Sequence, residues 1–282
     1  MIPIDAASET ALRLGCFAGL FVLLAALETA WPRRPRSLAR AARWPANLGM
    51  SVASQLVVRL LVPLTAAALA IEAASRGWGL LNRVDLPAWI EIALAVLVLD
   101  FAIYWQHRLF HVVPALWRLH RMHHADVDLD VTTGIRFHPV SILVSAAIKL
   151  GVVLLLGPAP VAVLLFEVLL NATSLFNHAN LALPVRLDRV LRLLVVTPDV
   201  HRVHHSLDAA ERNCNFGFNF PWWDRLIGTY RAQPARGHDN MTLGLPAFRD
   251  AAEQRFFRLL GQPLRGEAPP PAPPAGGERQ RS

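Results

Sequence analysis

Five apolar runs, most of them close to bilayer length, divide this chain, and its histidines gather at their edges. The runs cover residues 11–30, 46–74, 87–104 and 140–157, with a fifth ending near residue 176. A hydrocarbon layer about 30 Å thick takes about twenty consecutive apolar residues as a helix. The expected fold is therefore an all-α integral membrane protein with four to five transmembrane helices and a histidine-rich helical cap. Composition agrees: the 282 residues are 54% hydrophobic and 17% charged, where a soluble domain carries about a quarter charged residues.

Charge orients these segments. The leader carries Asp5 and Glu9 rather than base, so the first run reads as a retained helix and not a secretory signal. Five arginines, Arg33, Arg34, Arg36, Arg40 and Arg43, follow it, and the positive-inside rule assigns that loop to the cytoplasm. Helix two then leaves and helix three returns. Helices four and five form a hairpin whose turn, Gly157-Pro-Ala-Pro160, has no Lys or Arg. Every histidine cluster thus meets on one face, expected to be cytoplasmic. Heavy use of Arg, Ala and Leu fits a GC-rich bacterial source, hence an inner membrane. The net charge of +7 comes almost wholly from arginine; these arginines flank apolar segments rather than interleave with aromatics, so membrane and not nucleic acid is the expected partner. Arg59 and Lys149 fall inside apolar runs, either lining a polar path or snorkelling to the surface. Cys16 and Cys214 lack metal or redox spacing, and no disulfide is expected.

Eight of the eleven histidines form three clusters: His107-Arg-Leu-Phe-His111, His120-Arg-Met-His123-His124 and His201-Arg-Val-His204-His205. Spacings of three and four place imidazoles on one helical face. In the second and third clusters the adjacent pair diverges by about 100°, so one ion uses both neighbours poorly and two ions use them well. Eight imidazoles, brought to ten by His178 in Asn177-His178-Ala-Asn180 and by His138, are too many for one ion and about right for two; a binuclear centre follows. His138, in Arg-Phe-His-Pro, reads equally as ligand or surface residue, and His238 reads as a hydrogen-bonded surface residue. Asp100, Tyr104, His107 and His111 are spaced 4, 3 and 4 along one stripe, with Phe101 and Trp105 off it. Asp100 or Tyr104 would stand behind the ligands, where a carboxylate fixes the imidazole tautomer; packing or capping is the alternative for Asp100. Imidazole suits Zn, Cu, Fe and Ni. Structural zinc sites are closed and cysteine-bearing, and a zinc protease needs HExxH, where this chain has Arg108, Arg121 and Arg202. Two irons remain, with imidazoles in place of the carboxylates of bundle-type di-iron proteins. A binuclear zinc membrane hydrolase and a non-catalytic metal-binding protein are the rival readings.

In combination, Asp100-xxx-Tyr104-Trp105-x-His107-Arg108-xx-His111, His120-xx-His123-His124, Asn177-His178-x-Asn180 and His201-xx-His204-His205 resemble the fatty acid hydroxylase/sterol desaturase superfamily. Asn215-Phe-Gly217, Trp223-Asp-Arg-Leu-Ile-Gly-Thr-Tyr230 and Gly237-His-Asp-Asn-Met-Thr-Leu-Gly-Leu245 extend the similarity. The resemblance implies a membrane-bound, non-haem di-iron oxygenase that hydroxylates or desaturates a C–H bond of a lipid. It implies nine ligands, His107, His111, His120, His123, His124, His178, His201, His204 and His205. Asp100, Tyr104, His138, Asn180 and Asp224 are expected in support behind them. No HPGG-type haem motif is present, since His138-Pro139 continues with Val140; electrons would come from a separate ferredoxin- or cytochrome-like donor, and the arginines around the site suit docking of such a carrier and contact with lipid headgroups equally well. The expected organisation is an N-terminal helical part over 1–86, a hydroxylase-like domain over 87–250, a C-terminal helix over 251–265 and a disordered Pro-rich tail over 266–282.

Overall fold

The structure is a computed structural model and describes residues 6–266; the Pro-rich tail beyond Gly266 lies outside the described residues. The described residues form helices and loops, with two isolated bridges, Pro32 to Leu181 and Ser206 to Leu243, and no strand. Within lipid a helix satisfies every backbone group internally, and five helices are long and apolar enough to cross a membrane. The chain is an integral membrane protein.

The spanning helices are α1 (Ala6–Ala30), α2 (Arg40–Leu61) continued by α3 (Ala66–Arg76), α4 (Ala88–Val112), α6 (Pro139–Leu156) and α7 (Pro160–His178), with α5 (Pro114–His124) running back from the end of α4. The second apolar run is not one helix as its hydropathy implies. Pro63 has no N–H and disfavours helical backbone before it, and Val62 accordingly leaves the helix at φ −123°, ψ 85°. The third run, in contrast, continues as helix through its histidines to Val112.

Lipid tails supply no hydrophobic drive between helices, so close backbone approach and polar pairing hold them. The α3 helix turns Ala66, Ala67, Ala70 and Ala73 inward, all nearly inaccessible. Two of these alanines meet Leu99 and Ile103 of α4, Val153 of α6 and Val163 and Phe166 of α7 in one cluster. At the end remote from the histidines, Gly79 (φ +89°) crosses Gly157 so closely that a Cβ on Gly79 would stand 2.3 Å from the Gly157 nitrogen. The amide of Leu80 donates to the Leu155 carbonyl there at 3.0 Å.

Lys149 neither snorkels nor stands alone. It pairs with Glu167 of α7, whose other oxygen takes Arg13 of α1 at 2.7 Å. Arg59 is exposed on α2, as a snorkelling side chain would be. The cap is built of short helices: α8 (Val185–Leu191), α9 (Pro198–His204), α10 (Ala209–Arg212), α11 (Trp222–Ile227) and α12 (Gly237–Asn240). The C-terminal part is three short turns, with α13 (Phe256–Gly261) at its centre, and not one helix over 251–265.

Candidate metal centre

Each histidine comes from a helix end aimed at one point. The last two turns of α4 carry His107 and His111, the last turns of α5 carry His120, His123 and His124, α7 ends in His178, and α9 with the residue after it supplies His201, His204 and His205. Pro114, Pro160 and Pro198 each start their helix at the first position, where a missing N–H costs nothing.

The nine side chains fall into two groups. His107, His111, His120, His124 and His204 offer nitrogens all within 4.8 Å of one another, and so do His123, His178, His201 and His205. Both HxxHH clusters are split the same way. His120 and His124 share one group while His123 joins the other; His201 and His205 share one while His204 joins the other. This is the division that the divergence of adjacent helical positions demands. The groups adjoin, with the His124 and His205 rings stacked at 4.5 Å between centroids.

Hydrogen bonds set the tautomers. The Nδ1–H of His107 donates to the Phe216 carbonyl at 2.8 Å, that of His204 to Cys214 at 2.7 Å, and that of His178 to Ser174 at 2.7 Å. His123 donates likewise to Arg136 at 3.2 Å and His111 to the Asn213 side chain at 3.3 Å. A neutral imidazole has one N–H, so each of these rings turns a bare Nε2 lone pair inward. Two pairs of these lone pairs face one another, His107 to His204 at 3.0 Å and His178 to His123 at 3.1 Å, and the Nε2 atoms of His120 and His201 stand 3.1 Å from those of His107 and His178. Neither nitrogen of His205 has a protein partner, although the residue is buried. Converging lone pairs repel unless a cation stands between them. Nitrogens about 2.1 Å from one ion and at right angles are about 3 Å apart, so the donor set fits a metal in each group. Burial, reinforced by the neighbouring imidazoles, holds His120, His123, His124, His201, His204 and His205 well below the ordinary imidazole pKa. They stand neutral and able to bind metal.

The residues expected behind the ligands are placed differently. Asp100 stands behind no imidazole; it accepts from the Trp223 indole at 2.7 Å and the Asn219 amide at 3.3 Å. Seven residues of helix, about 10 Å, separate it from His107. Tyr104 bonds the Thr229 hydroxyl at 2.9 Å. Asp224 accepts from the amides of Phe216 and Gly217 and from Thr229 at 2.7–2.8 Å, so it acts on His107 only through the Phe216 backbone. Burial pushes Asp224 up to about 6, against those hydrogen bonds. Asn180 ties the arginine loop, accepting from the Arg34 amide at 3.1 Å. His138 caps α6 and contacts the Leu260 carbonyl at 3.1 Å, outside both groups. His238 is no surface residue: it is buried 3.5 Å from Asp199. Arg121 and Arg202 turn away from the rings, toward backbone carbonyls and Asp199. Cys16 and Cys214 are free.

The histidine motifs give no sign of a buried ionic network under the second cluster. Arg43 of α2, wholly inaccessible, binds both oxygens of Asp126 at 2.7 Å and Asp130 at 2.6 Å. Arg136, whose carbonyl orients His123, packs beside them and donates to the Met122 carbonyl at 3.0 Å. The alternation Asp126-x-Asp128-x-Asp130 among apolar residues was the available signal, since buried carboxylates require partners.

Helices spanning a membrane and ending in two all-histidine nests define a class: integral membrane proteins with paired imidazole groups able to hold metal. The fatty acid hydroxylase family model matches residues 92–229, which hold every one of the nine histidines. This match and the relatives below support a place for the segment in the fatty acid hydroxylase/sterol desaturase superfamily. It is 36% identical over 149 residues to the ornithine lipid hydroxylase OlsE of Rhizobium tropici, covering 52% of this chain and 44% of that protein. Against the alkylglycerol monooxygenase of Homo sapiens it is 29% identical, covering 49% of this chain and 30% of that one. Against methylsterol monooxygenase 2-2 of Arabidopsis thaliana it is 27% identical, covering 55% and 59%. The chain thus spans less than half the length of the first two. No solved structure matches it.

Proposed function

We propose that this protein is a membrane-bound, O2-dependent lipid hydroxylase carrying two iron ions, one in each histidine group. The observation that carries the reading is the convergence of Nε2 atoms at 3.0–3.2 Å inside both groups, with Nδ1 of five rings tied to carbonyl oxygens so that their Nε2 faces inward bare. Bound iron would supply the oxidation of an unactivated C–H bond with O2 and external electrons. The chain itself supplies position and dryness. Backbone carbonyls of Phe216, Cys214, Arg136 and Ser174 hold the ring orientations, and Phe137 and Phe218 lie against rings of the site, at 4.5 Å from His123 and 5.5 Å from His107. These aromatic walls exclude water from a carbon brought between them.

Hydroxylation is preferred to desaturation because the relatives are named hydroxylases and monooxygenases. A lipid with a long chain and a polar head is the proposed substrate, and a separate electron carrier the proposed donor. The arginine loop supports a site on the cytoplasmic side of an inner membrane. Neither histidine group contains a carboxylate, which argues against a zinc hydrolase needing a general base there. The test is elemental analysis with Mössbauer spectroscopy on protein in mild detergent, beside lipid oxidation with and without O2. About two irons per chain, matching the two groups, and strictly O2-dependent product are expected. Zinc with activity that survives without O2 would overturn the proposal.

A further inference from the structure

We infer that α8, the segment after it and α11 form a raft that lies in the leaflet on the metal side and takes anionic lipid headgroups. This inference does not depend on the reaction catalysed. The α8 helix and its extension leave Leu187, Val190, Leu193 and Leu194 exposed, and α11 leaves Leu226 exposed at 75%. Two hydrogen bonds join them into one surface: the Trp222 indole donates to the Leu193 carbonyl at 2.7 Å and Arg225 to the Arg192 carbonyl at 3.1 Å. Scattered apolar side chains on a surface need no explanation, but a joined patch of this kind marks an interface.

The position of α11 along α4 identifies what covers the patch. Trp223 packs its ring 4.8 Å from Phe101 and donates to Asp100. Asp100 stands twelve residues from either end of α4, at the middle of a helix about 37 Å long. Phe101 and Trp105 are themselves exposed on the outer face of α4. The patch is therefore continuous with the lipid-facing surface of a spanning helix, and the cap reaches up beside it.

Charge selects the lipid. Arg186, Arg189 and Arg225 are exposed on the same elements, while the one acid of α8, Asp188, is buried against Arg192 and the Thr197 hydroxyl. The face is apolar and cationic with no outward carboxylate. That pattern fits an anionic bilayer surface, with guanidinium heads snorkelling to phosphate and leucines below them. A second copy of the same cationic face would be repelled.

The test uses full-length protein in which exposed Cys16 is replaced by Ala, leaving buried Cys214. Nitroxide labels are placed by Leu226→Cys, Val190→Cys and, as a lipid-facing reference on α2, Leu56→Cys. In phosphatidylcholine–phosphatidylglycerol nanodiscs, the labels at 226 and 190 should match the reference: readily reached by O2 and shielded from a water-soluble nickel chelate. Nickel access like that of a label in water overturns the raft. Shielding that appears only with dipolar coupling between labels, or only at high protein concentration, assigns the face to a second copy and also overturns it. Spin-labelled phosphatidylglycerol should be retained over phosphatidylcholine, and Arg186→Gln with Arg189→Gln should cut that preference by up to about fivefold per arginine. Equal retention of both lipids by the unaltered protein overturns the headgroup assignment.

Discussion

Replacing Arg43 by Met should undo one metal group before the other. The guanidinium is wholly buried and supplies two charge-assisted bonds to Asp126 at 2.7 Å and one to Asp130 at 2.6 Å. Burial alone would raise the Asp126 carboxyl, but Arg43 and Arg136 hold it down to about 2. Without Arg43 two buried carboxylates share one remaining cation, Arg136, at 3.5 Å from Asp126. Removing one partner from a buried pair costs about 3–5 kcal/mol, a large part of the ~5–15 kcal/mol that stabilises a typical domain. The damage is local first, because the same loop carries the Arg136 carbonyl that orients His123 and the Gly134 carbonyl bonded by Ser174, one turn before His178. Purified Arg43→Met protein should show a lower thermal midpoint and lose metal from the four-histidine group. Arg43→Lys should fall between, since an ammonium keeps charge but not the bidentate fork. The double variant Arg43→Met with Asp126→Asn should cost less than the sum of the two single changes. Unchanged midpoint and unchanged metal content in Arg43→Met would refute the reasoning.

Other outcomes follow from the same geometry. His204→Ala should empty the five-histidine group and His205→Ala the four-histidine group, two different losses in the Mössbauer spectrum of otherwise folded protein; identical spectra would count against two sites. Gly134→Ala would place a Cβ 2.4 Å from the Ser174 carbonyl oxygen and 3.3 Å from the His178 ring. Overpacking of this kind costs about 1–3 kcal/mol, and metal content together with thermal midpoint should both drop. Burial lowers the His238 imidazole from 6.5 to about 4, against Asp199, which raises it. A depressed folded value means that its stabilisation is complete above pH 6.5 and is lost as pH falls toward 4. His238→Gln should therefore show a shallower loss of stability than the parent between those pH values, read from thermal midpoints across a pH series.

Much of this protein is legible before folding. Runs of apolar residues determine which segments cross lipid, because composition and length alone set that free energy. The HxxHH spacing determines that adjacent imidazoles serve different groups, because a helix turns about 100° per residue. The break at Pro63 was equally visible, yet hydropathy averages across it. Other features were decided only in three dimensions. Asp100 sits on the histidine stripe of α4, but rise along the axis carries it beyond reach of the rings and into the grip of Trp223, 123 positions later. Lys149 looked isolated until α1 and α7 brought Arg13 and Glu167 to it. Arg43 lies outside the segment that matches the family, and only the approach of α2 to the loop after α5 turns it into the keystone of His123. Periodicity is a local property and survives in the sequence. Which distant charge neutralises a buried one depends on packing between helices, and the chain settles that only when it folds.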